Sequence, residues 1–198
     1  MTALAPEDAA RADFYALLAR LWHSGPDAPL LAAIAAADEI AAEGDPAGLV
    51  DAWRQLQAAA AATDAGTART EHDALFVGTG RAAVTPYASH YLTETARERL
   101  LVALRDELME LGLERDQGVH EPEDHFAALL EVMRHLVAAG SSDAALQRQK
   151  NFFTRYMHRA YNPLTDQVMA STKTSFYGYV ARFTKAFCDT EAASLDML

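Results

Sequence analysis

The stretch EPEDHFAALLEVMRHL, Glu121 to Leu136, predicts a helix whose start carries an acid–imidazole pair. Pro122 suits the first position of a helix, because its missing N–H would have no partner there. The acidic residues that follow favour the positive end of the helix dipole. Asp124 and His125 are therefore expected at the N-terminus of a buried helix, where they form either a recognition site or an ordinary helix cap. The apolar positions that predict the buried face recur every three or four residues: Phe126, Leu129, Leu130, Met133, Leu136 and Val137.

The same spacing of apolar residues runs through most of the chain, between turns that contain glycine or proline. Thr95 and Glu98 have the spacing of a capping box, and Asn162 precedes Pro163 as an N-cap precedes a first-turn proline. No segment alternates with period two for long enough to predict a strand. The sequence therefore predicts an all-α bundle of about eight to nine helices with short connections. Outside the opening stretch, helices are predicted over 6–22, 29–43, 47–63, 70–77, 95–112, 143–158 and 163–189.

Composition predicts a soluble, cytoplasmic protein. The 198 residues include no run of eighteen apolar ones, and the first residues lack the basic and apolar parts of an export signal. The single cysteine, Cys188, excludes an internal disulfide framework. The formal charge of −11 argues against a nucleic-acid partner and suits a cationic one, although solubility alone also accounts for it.

The common enzyme patterns are missing, and no cofactor or metal is predicted. The sequence has no HExxH helix, GxSxG turn or GxxxxGK[ST] loop. Its histidines do not share ligand spacing on one helix face, and Glu131 and His135 have the spacing of an exposed ion pair. Gly78–Arg81 is interpreted as a helix end and a turn. A small metal-dependent enzyme that uses His120, Asp124 and His125 remains an alternative.

Three blocks of the chain resemble the TorD/DmsD family of cytoplasmic chaperones. The first, EHDALFVG at 71–78 with PYASHY at 86–91, is similar to the family's YxxLFxGPG…PYxSxY region. The second, EPEDH at 121–125 with Met133 behind it, is similar to EPxDHxxxxLxxM, and the third follows the family's FF…FY tail over 151–187. The chain departs from the pattern at Tyr161-Asn162-Pro163, where Trp-Pro is usual, and at Gly78-Thr79-Gly80, where a proline is usual.

The resemblance implies a chaperone and not an enzyme. It implies one TorD-like domain over 1–198, with subdomains at about 1–112 and 122–198 and a connector at about 113–121. The implied partner is the catalytic subunit precursor of a molybdenum or tungsten oxidoreductase, bound through its twin-arginine signal peptide until the cofactor is inserted. The resemblance does not identify the client enzyme; enzymes that act on dimethyl sulfoxide, trimethylamine oxide, formate and nitrate are all compatible with it. No nucleic acid or stable membrane insertion is implied, and the protein is a monomer or a dimer.

The resemblance also implies a peptide-binding site. Asp124 is expected to pair with an arginine of the peptide, since that contact can be bidentate. His125 is expected to hydrogen-bond peptide backbone and to titrate near its ordinary pKa. A general helical protein-binding adaptor would keep the same groove without the signal peptide. The remaining residues expected at the site are Glu121, Pro122, Phe76, Pro86, Tyr87, Ser89 and Tyr91.

Overall fold

The structure, a computed structural model, describes residues 4–40, 44, 47–77, 82–114 and 121–198. These residues form ten α-helices and no β-strand, which confirms the predicted all-α class. Within the same ranges no helix is both long and apolar enough to cross a membrane. Two π-helical turns are also present, Asp73–Val77 and Phe153–Met157. The helices are α1 Pro6–His23, α2 Ala28–Ala36, α3 Leu49–Ala62, α4 Ala65–His72, α5 Ser89–Leu92, α6 Arg97–Glu110, α7 Phe126–Ala138, α8 Asp143–Phe152, α9 His158–Ala170 and α10 Phe176–Asp196.

The core forms where α1 packs along α7 and α10 packs against α3 and α9. The apolar face predicted for α7 is buried as expected, from Phe126 to Val137. Trp22 joins this face edge-on, with 5.3 Å between its ring centroid and that of Phe126. His23, at the end of α1, lies beside His125, at the start of α7, with 6.4 Å between the rings. The two helices are therefore antiparallel neighbours.

The predicted start of the last helix is wrong. Pro163 lies inside α9, and the break before α10 falls later, at Ser171–Ser175. Proline removes only its own N–H from the helix ladder, and the chain on both sides stays helical. The hydroxyl of Thr165 donates to the carbonyl oxygen of Tyr161 at 2.8 Å, within the same helix.

Two further start signals were misassigned. The capping box at Thr95 and Glu98 does not form, because α6 begins at Arg97 and the Thr93 hydroxyl accepts from the N–H of Ala96 at 3.1 Å. The helix predicted to begin at residue 70 begins at Ala65 instead, with Asp64 as its N-cap. The expected connector includes 115–120, and residues 78–81 carry the expected glycine turn; both lie outside the described residues. The subdomain division stays a prediction.

Candidate functional site

A groove of about 680 Å³ opens between α1, α7 and the end of α6. Each of the two long helices contributes residues spaced by three, four and seven positions, so each presents one face to the groove. Because α1 and α7 are antiparallel, the two faces run side by side along its length. The lining residues of these faces are Ala16, Ala19, Arg20 and His23 on α1, and Ala128, Glu131, Val132 and His135 on α7.

The third side of the groove comes from the segments around the predicted connector. Leu108 and Leu113 extend the apolar floor from the end of α6. Three glutamates line this side together with Pro122: Glu114 and Glu121 are exposed, whereas the Glu123 side chain is 10% exposed and pairs with Arg105 at 3.0 Å. The groove therefore combines a floor of alanine, valine and leucine with an acidic edge.

The cations beside the groove are engaged by neighbouring carboxylates. Arg20 reaches Asp27 at 2.5 Å, and Arg134 reaches Glu131 at 2.7 Å. The expected pairing of Glu131 with His135 is thus replaced by a pairing three residues along the helix. Four glutamates and two arginines line the groove, so its lining carries a net negative charge that favours a cationic ligand. Two of these glutamates already pair with arginines, Glu131 with Arg134 and Glu123 with Arg105, the latter at 3.0 Å.

The helix behind the acidic segment begins at Phe126, four residues after the proline that was expected to start it. His125 is the N-cap, and its Nδ1 accepts a hydrogen bond of 3.2 Å from the N–H of Ala127. The backbone N–H of His125 bonds the carbonyl of Pro122 at 3.1 Å, which makes residues 122–125 a turn. In this turn the imidazole of His125 satisfies the start of the helix.

His125 is neutral at physiological pH. Burial lowers its pKa to about 4, and the nearby carboxylates of Glu121 and Asp124 oppose this shift only in part. The expectation that it titrates near its ordinary pKa is therefore wrong. Because Nδ1 accepts a hydrogen bond, the proton of the neutral ring is on Nε2. The ring lines the groove and packs edge-on against Tyr87, with 5.4 Å between centroids.

Asp124 lies behind the groove wall and is 1% exposed. Its Oδ2 accepts a hydrogen bond of 3.0 Å from the backbone N–H of Ser89, and its carbonyl oxygen accepts one of 2.9 Å from Ala88. The carbonyl of Pro86 accepts from the N–H of Phe126 at 2.8 Å. The loop around Pro86–Ser89 and the segment around Asp124–Phe126 are thus held together as a short antiparallel clip.

Phe76 and Tyr91 do not line the groove. Phe76 is 8% exposed and packs in the aromatic core, 5.3 Å from the ring of Trp22 and 5.6 Å from that of Tyr177. The hydroxyl of Tyr91 donates to the carbonyl of Thr85 at 2.8 Å, and burial raises the pKa of Tyr91 to about 12. Of the nine residues expected at the site, the structure brings three to the groove: Glu121, Pro122 and His125.

The groove faces of α1 and α7 were missed by sequence reasoning. Their spacing is visible in the sequence at Ala16–His23 and Ala128–His135, but nothing there indicates that the two faces meet. In the described ranges, no group of three or more histidine, cysteine or acidic residues is arranged to hold a metal ion. His120, named in the enzyme alternative, lies outside those ranges.

Comparison with known proteins gives both a family and named relatives. The family model described as nitrate reductase delta subunit matches residues 42–163. The chaperone protein TorD of Histophilus somni is 31% identical over 104 residues, which is 52% of this chain and 52% of that protein. TorD proteins from two Vibrio cholerae O1 strains, Classical Ogawa 395 and El Tor Inaba N16961, are each 26% identical over 132 residues, 63% of this chain and 60% of each relative. The aligned segments thus span between about half and three fifths of these relatives.

Proposed function

Because this chain belongs to the TorD/DmsD family, we propose that it is a cytoplasmic chaperone for a molybdenum or tungsten oxidoreductase. It binds the twin-arginine signal peptide and the apo form of the catalytic subunit and assists cofactor insertion before export. It performs no chemistry on its client. The client enzyme and its signal peptide are its partners, and no nucleic acid is among them.

The observation that carries this proposal is the composition of the groove. A twin-arginine signal peptide has a cationic pair followed by an apolar stretch. The groove offers the same two kinds of surface side by side, with the exposed carboxylates of Glu114 and Glu121 next to an apolar floor that includes Leu108 and Val132. Carboxylates bind guanidinium groups through charge-assisted, often bidentate hydrogen bonds, and an apolar groove holds an apolar peptide face.

Three side chains are proposed to contact the peptide directly. Glu121 accepts hydrogen bonds from an arginine of the peptide at the rim. His125, with its proton on Nε2, donates to a backbone carbonyl of the peptide. Pro122 forms the apolar edge between them. Four other expected site residues support this wall from behind, Pro86, Tyr87, Ser89 and Asp124, whereas Phe76 and Tyr91 have no proposed contact with it.

The test is peptide binding by the purified protein. A fluorescent signal peptide with Arg-Arg is titrated against the same peptide with the pair changed to Ala-Ala and against a scrambled peptide of equal composition. We expect the Arg-Arg peptide to bind at least tenfold more tightly than either, since losing a charged hydrogen-bonded contact costs about 1.5–3 kcal/mol. Equal binding of the Arg-Arg and scrambled peptides would contradict the proposal and support a general adaptor.

The client is identified by capture from the source cells. Wild-type protein is compared with Glu121→Lys, which reverses a charge at the groove rim. Glu98→Lys is the matched control, because Glu98 is exposed on α6 and does not line the groove. We expect one oxidoreductase precursor with the wild type and with the Glu98 variant, and its loss with the Glu121 variant.

A further inference from the structure

We infer that Asp124 is a positioning residue that holds the groove wall in place through the loop Pro86–Ser89. The carboxylates that meet a cationic peptide are those that line the groove, Glu121 among them. The inference rests on the proposed function, and it assigns the acid of the EPEDH segment a role different from the one that the family resemblance implies.

The burial of Asp124 separates it from the ligand. Asp124 is 1% exposed, and its Oδ2 accepts a hydrogen bond of 3.0 Å from the backbone N–H of Ser89. Ser89 is also buried, with 6% of its surface exposed. Asp124 is absent from the residues that line the groove, whereas the exposed Glu114 and Glu121 are present there. A guanidinium in the groove therefore meets these glutamates before it reaches Asp124.

Hydrogen bonds on either side of His125 join the same two segments. Its carbonyl oxygen accepts from Ala88, and the carbonyl of Pro86 accepts from the residue after His125. Between these two bonds, Tyr87 and His125 lie opposite each other as a single antiparallel pair, and their rings touch edge-on. The Asp124 carboxylate closes the clip at the Ser89 end.

His125 connects this clip to the ligand. Its ring is held on one side by Tyr87 and on another by the hydrogen bond from Ala127 to Nδ1. If the clip opens, the ring loses the Tyr87 support, and its Nε2 proton no longer has a defined direction in the groove. Asp124 thus acts on the peptide through His125.

Two substitutions of Asp124 distinguish a positioning role from a charge-pairing role. Asp124→Asn keeps an oxygen that accepts from the N–H of Ser89 but carries no charge, whereas Asp124→Ala leaves that buried N–H without an acceptor. A residue that pairs with an arginine needs its charge, and a residue that positions a loop needs only its acceptor. The two roles therefore predict opposite outcomes for Asp124→Asn.

The experiment titrates the fluorescent Arg-Arg signal peptide into wild type, Asp124→Asn, Asp124→Ala and Glu121→Gln. We expect Asp124→Asn to bind within about threefold of wild type, and Asp124→Ala and Glu121→Gln to bind about tenfold more weakly. The ¹⁵N chemical shifts of His125 give a second readout that a general loss of stability does not move. Wild type and Asp124→Asn are expected to show a bare Nδ1 and a protonated Nε2, and Asp124→Ala a mixture of tautomers.

The inference is overturned if Asp124→Asn binds as weakly as Asp124→Ala while the His125 signals stay unchanged. If wild type binds no signal peptide, the proposed function fails, and the His125 signals still decide whether Asp124 positions the ring. If Asp124→Ala does not fold, the comparison of Asp124→Asn with Glu121→Gln decides, because both remove a charge and keep an acceptor.

Discussion

The carboxylate of Glu71, in α4, accepts a hydrogen bond of 2.7 Å from the backbone N–H of Tyr177, in the first turn of α10. The same carboxylate accepts from the N–H groups of Ser175 at 2.7 Å and Phe176 at 3.0 Å. These N–H groups have no partner inside their helix, and a negative charge stabilises a helix at this end. Glu71 is therefore a buried helix cap supplied from a distant part of the chain.

Replacing Glu71 is expected to destabilise the protein strongly. Glu71→Ala leaves the buried N–H groups of Phe176 and Tyr177 and the part-buried one of Ser175 without an acceptor, and should lower the free energy of unfolding by about 3 kcal/mol. Glu71→Gln keeps one oxygen and should lose roughly half as much. Urea unfolding followed by circular dichroism measures both. A loss below about 0.5 kcal/mol in the Ala variant would show that water replaces the cap.

Gly25 is expected not to tolerate a side chain. A Cβ at this position would lie 2.6 Å from the Cα of Arg69 in α4. Either the segment that follows α1 or helix α4 itself would therefore have to shift. Gly25→Ala should lower the free energy of unfolding by about 1–3 kcal/mol. Gly178→Ala is the matched control: its Cβ meets Thr174 at 3.5 Å, an ordinary contact, and alanine within a helix should be neutral or stabilising by up to about 1 kcal/mol. Thermal melts of both variants are the measurement, and equal melting temperatures would contradict the close approach.

Stability is expected to fall as the pH drops from about 6.5 to about 4, because His125 takes up a proton more readily in the unfolded chain than in the folded one. Its folded pKa of about 4 lies below the ordinary value, so the unfolded state binds more protons in this window. The contribution of His125 is complete above pH 6.5 and should shrink by about 3 kcal/mol towards pH 4. Urea unfolding at several pH values checks this.

The control for the pH dependence is His125→Asn, since asparagine caps a helix without titrating. This variant should show a flatter dependence between pH 4 and 6.5 than the wild type. Parallel curves for the two proteins would mean that other groups carry the effect.

The buried ion pair between α1 and α10 is expected to contribute far more than an exposed one. Arg11 bonds Glu191 at 2.8 and 2.9 Å, and the hydroxyl of Tyr15 donates to Glu191 at 2.8 Å. Glu191→Ala removes the main partner of a part-buried guanidinium, which keeps Asp8 and Gln149, and leaves the buried Tyr15 hydroxyl without its acceptor; it should cost about 2–3 kcal/mol of unfolding free energy. The exposed pair Arg54–Glu39 is the comparison, and Glu39→Ala should cost less than about 0.5 kcal/mol. Chemical denaturation should show a much larger loss of unfolding free energy for Glu191→Ala than for Glu39→Ala. Similar losses in the two variants would contradict the greater contribution of the buried pair.

Filling the groove floor should block the apolar part of the ligand. Ala128→Leu adds bulk on the α7 face that lines the groove and should weaken binding of the Arg-Arg signal peptide by about tenfold while leaving the melting temperature nearly unchanged. Ala138→Leu adds the same bulk to an exposed position of the same helix and should leave the affinity unchanged. Fluorescence titration compares the two; equal affinities would place the ligand elsewhere.

Sequence reasoning predicted the helices better than their ends. The apolar spacing from Phe126 to Val137 was enough to predict a buried α7, because a repeat of three and four residues places side chains on one face whatever they pack against. The start of α7 was predicted at Pro122 and lies at Phe126, because the turn at 122–125 lets His125 act as the cap. Capping is decided by competing hydrogen-bond partners, and several were available within a few residues.

What the sequence by itself determined is the all-α class, the buried faces of the helices and, through the quoted motifs, the family. Only the tertiary structure decided which residues share a surface. It placed Ala16–His23 opposite Ala128–His135 to form a groove, and it turned Asp124 away from that groove towards Ser89. The physical reason is the range of the interactions. Helix periodicity is local and can be read along the chain, whereas burial and charge at a site depend on helices that meet across more than a hundred residues of sequence.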